Sequence, residues 1–386
     1  MKTILIYKSD DVCYNILNFM AEQLGDALKQ LGENVIYCDL ANGDYIHLSE
    51  YVGMEFKAII GFHSKAFNIY LQSKKCFLHD LIRGPKFNFL FDHPIWQKEI
   101  YENVPKNFYV FTHDRNYIEF IKKYYPAVND AFLLPPGGAV SPCGKENNKN
   151  KEFVFIGTYE NYRNIFPIIR NSKYKSLANK FLLDLRKKYN EPSEKVLLEL
   201  LEKEGCYFTD KEFLDVFYEL KIIIKAVFSY YREKIIKTIL ESGISLTVFG
   251  DSWKNSPFAN NSLLCIEKEL TPLESLNILQ HSKLSLNIMS WHKDGFNERI
   301  SNSMLAKCVV VGDISTCLLE QYKDDEELIL FDLGKLDELP KRIKKLLNND
   351  VERMKIAERG YERAVKEDTW LERAKLLLFY IQQCES

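Results

Sequence analysis

Short, almost wholly apolar runs alternate with stretches of helical periodicity, and this constrains the fold more than any other feature. In the first part of the chain the runs are TILIY (3–7), NVIYC (34–38), KAIIGF (57–62), FNFLF (87–91), FYVFT (108–112) and AFLLP (131–135). Between the first two, Ile16, Leu17, Met20, Leu24, Leu28 and Leu31 recur at the spacing of one helix face. A strand apolar on both faces must be covered on both faces. Such strands separated by helices therefore predict a mostly parallel, doubly covered sheet.

The pattern breaks at PPGGAVSPCGKENNKNKE (135–152), which has turn residues, then charge, and no apolar period. It restarts at EFVFIGTY (152–159) and continues through ISLTVFG (244–250), LSLNI (284–288), CVVVG (308–312) and LILFD (328–332). Between the first two of these, residues 162–242 are rich in Lys, Glu, Leu and Ile, nearly free of Gly, and helical throughout. Thr209 with Glu212, and Thr271 with Glu274 after a Pro at the first helical position, are capping-box patterns. The reading is an α/β chain of two Rossmann-like domains. The first spans 1–140, a linker 141–151, and the second 152–365 with a helical insertion at 162–242. A C-terminal helix, 366–386, follows. A length of 386 residues suffices for two cores.

Composition removes several alternatives. A net charge of −2 gives no general attraction to nucleic acid, so no nucleic-acid partner is expected. The nine cysteines form no C-x-x-C pair, which argues against a zinc ribbon or redox dithiol. MKTILIYKSDD is too short in its apolar run for a signal peptide, and no run reaches the ~18–20 residues that cross a bilayer. A cytoplasmic protein is expected, with peripheral membrane contact left open.

In an open α/β sheet, ligands bind beyond the carboxyl ends of the strands, and with two such domains the expected place is the cleft between them. Three loops of the second domain follow strands. The first is Gly157-Thr158-Tyr159, with a glycine for close backbone approach and a hydroxyl for phosphate. The second is Gly250-Asp251-Ser252-Trp253, where Asp251 or Trp253 meets a base or ribose. The third runs from His292 through Asp294, Gly295, Phe296 and Asn297 into a helix starting between Asp294 and Glu298. There Ile300, Met304 and Leu305 form the buried stripe, and Glu298 and Asn302 share another face. Arg299 opposes the helix dipole at that end, which an anion such as diphosphate would explain as well as a nearby carboxylate. In the first domain Asp92-His93-Pro94 follows a strand and offers a general acid/base pair, or simply a turn. Thr112-His113-Asp114-Arg115 has the same ambiguity, and His63 is a weaker third candidate.

There is no G-x-G-x-x-G after the first strand, no Walker A motif, no G-x-S-x-G elbow, no H-E-x-x-H and no Asp-x-Asp. Any leaving-group charge would then fall to helix N–H groups and to Arg or Lys, with no metal and no cofactor expected.

These residues resemble a known group. Two Rossmann-like halves, FIGTY (155–159), FGDSW (249–253), FDHP (91–94) and a loop-helix of form G-x-x-E-R-x-x-N-x-M look like GT-B glycosyltransferases. More narrowly, DGFNERISNSMLAKCVVVGD resembles the spore-maturation-protein group and related bacterial "glycosyltransferase family 1" enzymes. The resemblance implies a metal-independent transfer of sugar from a nucleotide diphosphate sugar to an acceptor hydroxyl on a glycan, a lipid-linked sugar or a protein. It implies phosphate near Gly157 and Thr158, nucleotide near Gly250 and Asp251, and sugar, diphosphate and ribose near Glu298, Arg299 and Asn302. It also implies that the helix from Trp370 packs back on the first domain. Many retaining relatives carry two Glu eight positions apart where this chain has Asp294 and Asn302, and a small Gly where it has Lys307. Two other readings share the fold: a nucleotide-sugar epimerase, and a non-catalytic scaffold using the insertion as a partner or homo-oligomer surface.

Overall fold

The computed structural model describes residues 2–8, 14–40, 45–142, 148–289 and 291–384; part of the linker expected at 141–151 lies outside them. The chain divides into two compact units, Met1–Ala139 with Glu367–Ser386, and Val140–Lys366.

The first unit opens with β1 (Ile4–Lys8), α1 (Ile16–Gln30), β2 (Val35–Asp39) and β3 (Ala58–Phe62). A small hairpin of β4 (Tyr70–Leu71) and β5 (Cys76–Phe77) follows, then β6 (Lys86–Leu90), α2 (Lys98–Tyr101), β7 (Phe108–Thr112), α3 (Arg115–Tyr124) and β8 (Asp130–Leu133). The sheet order is β2-β1-β3-β6-β7-β8, all parallel. β3 and β6 are buried at every position, as apolar runs covered on both faces must be.

The second unit starts with β9 (Lys151–Ile156), then four helices: α4 (Ile165–Asn171), α5 (Lys175–Lys187), α6 (Ser193–Lys203) and α7 (Asp210–Glu241). The alternation resumes with β10 (Leu246–Phe249), β11 (Leu264–Glu267), α8 (Pro272–Gln280), β12 (Ser282–Asn287), α9 (Glu298–Leu305), β13 (Val309–Asp313), α10 (Thr316–Gln321), β14 (Ile329–Phe331), α11 (Leu339–Asn348) and α12 (Asp350–Glu367). The order β11-β10-β9-β12-β13-β14 is that of a Rossmann sheet, which reverses direction between β9 and β12. The edge strand β11 escapes the sequence pattern because only one of its four residues is buried. Both capping boxes form, with the Thr209 and Thr271 side chains accepting from Glu212 N and Glu274 N.

Lys149 precedes β9 and donates from Nζ to Ala306 O at 2.7 Å and Leu279 O at 3.4 Å, closing the C-terminal ends of α9 and α8. The last helix, α13 (Trp370–Cys384), belongs to the first unit and packs on α1. Its Tyr380 ring stacks on Phe132 at 4.7 Å, and a buried Asp368–Arg373 pair at 2.7 Å fixes the chain entering it. No helix among the described residues is long and apolar enough to cross a membrane.

Candidate functional site

The carboxyl edge of the second sheet carries the polar residues of interest, and its three loops are held in different ways. After β9, Gly157 turns against Phe155, where a Cβ would come within 2.9 Å of the ring. Gly250, after β10, sits at φ +143°, a conformation glycine adopts freely. Trp253 corrects the expectation of a base-binding ring. It is fully buried, donates Nε1–H to Gly157 O at 2.6 Å, and packs on Phe155 and Tyr159. An indole enclosed on all sides buttresses the first loop and has no face left for a nucleobase. Ser252 Oγ accepts from Tyr159 N at 2.9 Å, tying the two loops again. Asp251 is exposed and pairs with Lys254, which holds its carboxyl below the usual range.

Thr158 is exposed, and its carbonyl accepts from Arg232 Nη1. Tyr159 turns inward and donates its hydroxyl to Glu233 at 3.1 Å. Arg163 grips the same carboxylate in bidentate fashion, at 2.9 and 2.8 Å.

In the third loop, Phe296 is also corrected from ligand contact to core. It is 1% exposed and packs edge-on against Tyr322, among Met289, Ile300, Met304 and Leu318. Gly295 is buried and accepts from Ser315 Oγ at 2.7 Å. His292 is buried, and its Nε2 accepts from Trp291 Nε1 at 2.8 Å, with the ring against the loop and not in solvent. Asp294, Glu298 and Asn302 are half-buried.

α9 begins at Glu298 with Asn297 at the N-cap, yet the Asn297 side chain makes no capping bond, and its Oδ1 is buried without a partner. Ser301 Oγ, one turn into α9, and both polar atoms of Asn287, at the end of β12, are likewise buried and unpartnered. Arg299 donates from Nη1 to Ile156 O at 3.3 Å, while its Nε has no partner.

Beside Arg299 stands Arg232, from α7, which the sequence reading missed. It is 7% exposed, its Nε is unpartnered, and its guanidinium covers the Phe228 ring at 4.2 Å. Burial, then the neighbouring Arg299 charge, pushes its pKa down to about 9. The buried Arg232 guanidinium thus stands near a second, half-buried cation, and the Glu160 and Asp313 charges offset part of that repulsion. The missing signal was faint: Arg232 opens a charged run, Arg232-Glu233-Lys234, that reads as a solvated stretch of a long helix.

The first sheet's carboxyl edge differs. His93 is corrected from catalytic base to structural residue. Its Nδ1 accepts from Ile95 N at 3.1 Å, and its ring is buried edge-on against Tyr117 and Phe120 at 5.0 and 4.8 Å. A capping imidazole enclosed by rings does not reach a substrate proton. Asp114 is fully buried and caps α3 through Asn116 N at 2.8 Å. Half-buried Asp92 lies near His63, whose pKa burial lowers and Asp92 raises. His63 is held at φ +52° with its ring 2.6 Å from Gln97 Nε2, and Asn88 bonds Ser64 N and O to hold that turn. Among the described residues, no three His, Cys, Asp or Glu gather as a metal site.

Residues 232–378 match the model of a family described as glycosyl transferase-like. A search of curated proteins finds no significant match. Among solved structures the chain is similar to sucrose-phosphate synthase from Thermosynechococcus elongatus (10% identity, 99% of each chain, TM-score 0.56). It is similar to Anabaena HepE in complex with UDP and glucose (11% identity, 99% of this chain and 100% of that one, TM-score 0.55). It is also similar to the DNA-modifying enzyme β-glucosyltransferase (12% identity, 100% of each chain, TM-score 0.56). The chain spans 57% of the length of TarM, at 11% identity and TM-score 0.48.

Proposed function

We propose that this chain, which has the fold of GT-B glycosyltransferases and a glycosyl transferase-like domain over residues 232–378, transfers a sugar from a nucleotide diphosphate sugar to an acceptor hydroxyl. The observation that carries the reading is the paired Arg232 and Arg299, each with a buried, unpartnered Nε, beside the uncapped N-terminus of α9. Together they offer N–H donors and positive charge with no protein anion bonded to them. A diphosphate supplies what is missing, and the unpartnered Asn287, Asn297 and Ser301 atoms add polar contacts for ribose or sugar hydroxyls. UDP is the first nucleotide to test, because HepE was solved with it.

In the reaction, the bond from the anomeric carbon to the diphosphate oxygen breaks, and a bond to the acceptor oxygen forms. Negative charge grows on the leaving diphosphate, where fixed donors stabilise it more than in the ground state. Arg232, Arg299 and the α9 N–H groups fill that role without a metal. The acceptor proton passes to the leaving diphosphate itself. The acceptor is a glycan, a lipid-linked sugar or a protein hydroxyl.

Calorimetric titration with UDP, GDP and dTDP, followed by turnover of the matching sugars, tests this. Binding of one nucleotide, weakened in Arg299→Ala, supports it. No binding to any of the three, or equal binding by the variant, removes it.

A further inference from the structure

The helical insertion touches two of the donor loops through one helix. α7 is 32 residues long, about 48 Å at ~1.5 Å per residue, and is buried along most of its length from Phe213 to Leu240. Its Glu233 takes bonds from Tyr159 and Arg163, at the two ends of the 159–163 segment. Arg232, the next residue back, bonds Thr158 O. One turn earlier, Phe228 stacks on Trp291 with centroids 4.5 Å apart and planes 16° apart, and Trp291 in turn bonds His292. The α5–α6 turn adds a second hold on that loop, since Lys293 Nζ donates to Tyr189 O at 2.6 Å.

We propose that the insertion is a working part of the donor site: Glu233 and Phe228 are positioning residues, through which α7 sets the two loops that meet the nucleotide sugar. This rests on the donor-site reading above. In this reading neither residue meets the donor through its own functional group. Glu233 is buried against its two partners, and half-buried Phe228 packs on Arg232 and Trp291. Their effect reaches the ligand through the placement of the loop backbone. An insertion serving only as a partner surface would have no need to set an ion pair and an aromatic stack against these loops.

Arg163 is exposed, so Arg163→Ala leaves the core untouched and frees Glu233 from one side. Tyr159→Phe removes only the hydroxyl, and Phe228→Leu removes only the stack. Each variant is expected to raise the donor KM about tenfold, with acceptor KM and kcat within about twofold of wild type. Arg163→Lys should recover part of the loss. Amide exchange at 157–163 should quicken in Arg163→Ala and Tyr159→Phe, and exchange at 291–293 in Phe228→Leu, with or without nucleotide. Unchanged exchange in all three variants overturns the inference. So does unchanged donor KM in an enzyme that binds UDP. A wild-type protein that binds no nucleotide, yet shows quickened exchange in the variants, overturns the donor reading and with it the working role, while leaving the clamp as pure structure.

Discussion

The carboxyl edges of the two sheets are built from similar kinds of residue and use them differently. At the first edge several polar side chains are committed to the fold. His93 and Asp114 cap helical turns, Asn88 holds the turn after β3, and Gln97 meets His63. At the second edge Arg232, Arg299, Asn287, Asn297 and Ser301 all keep buried polar atoms without partners. A buried polar group left unsatisfied costs about 1–3 kcal/mol, so five residues at one edge are not an accident of packing. The first unit also holds unpartnered atoms: His79 Nδ1 and Tyr101 Oη lie among aromatic rings, and Thr112 Oγ1, His113 Nδ1 and Arg115 Nε lie at and just past the end of β7. What separates the second edge is that its unpartnered atoms include the Nε groups of two neighbouring guanidiniums, Arg232 and Arg299.

The largest expected effect breaks this comparison most directly. Arg299→Ala should lower kcat/KM for the donor by roughly 10²–10³, the loss seen when a preorganised charge donor is removed. Asp114→Ala, at the matching edge of the first sheet, should cost about 1 kcal/mol of stability as a lost helix cap and leave nucleotide affinity unchanged. Calorimetry and thermal melts on both variants decide it. Equal loss of donor affinity in the two would mean the edges do not differ in role.

Acid should separate the units next. His79 and His113 are almost fully buried in the first unit, and burial pushes their pKa values down to about 3 and about 4. Each is neutral when folded and protonates near 6.5 when unfolded. The unfolded chain therefore binds more protons below about pH 6.5, and stability is lost as pH falls through that window toward the folded values. The loss is on the order of a few kcal/mol by pH 4. The four tryptophans divide evenly, Trp96 and Trp370 in the first unit, Trp253 and Trp291 in the second. Single-tryptophan variants melted at pH 7 and pH 4.5 should show the first unit opening earlier. A second unit that opens first would sink the assignment.

The sheets were legible in the sequence because apolar runs at strand length, between helical periods, admit little else. Arg299 was legible because a cation at a helix N-terminus is locally wrong. Arg232 was not, since its partner charge sits about 67 positions on and only tertiary packing brings the two together. His93 misled for a related reason. An Asp-His-Pro string reads the same whether the ring faces solvent or tucks under Tyr117 and Phe120. Trp253 and Phe296 were drawn toward the ligand by their loops, although large aromatic rings beside a strand end are as readily absorbed by the core.

Arg232→Met should give a smaller effect of a distinctive kind. Donor affinity should fall roughly tenfold or more, the value of a charge-assisted hydrogen bond. Stability of the ligand-free protein should hold or rise, because a buried guanidinium repelled by Arg299 is replaced by an apolar chain of similar reach. Opposite signs in the two measurements are the mark of a residue kept for its ligand. A fall in melting temperature with unchanged UDP affinity would make Arg232 a structural residue like Asp114.

The smallest effect comes from the far end of α9. Lys307 stands at φ +50°, where Lys307 N bonds Met304 O and Cys308 N bonds Ser303 O, each at 2.9 Å. That pair of bonds is the left-handed helix ending for which glycine is best suited. Lys307→Gly should recover about 1 kcal/mol of left-handed strain. It gives up an exposed ion pair to Glu358 at 2.6 Å and a contact over the Tyr361 ring at 4.5 Å. These are worth ~0–1 and ~0.5–1 kcal/mol. The terms nearly cancel, so stability should move by less than about 1 kcal/mol. Because Lys307 is at the opposite end of α9 from Glu298, nucleotide affinity should not move at all. A loss of donor binding in Lys307→Gly would show that the whole helix, and not its N-terminal edge, sets the site, and the contrast between the two edges would have to be redrawn.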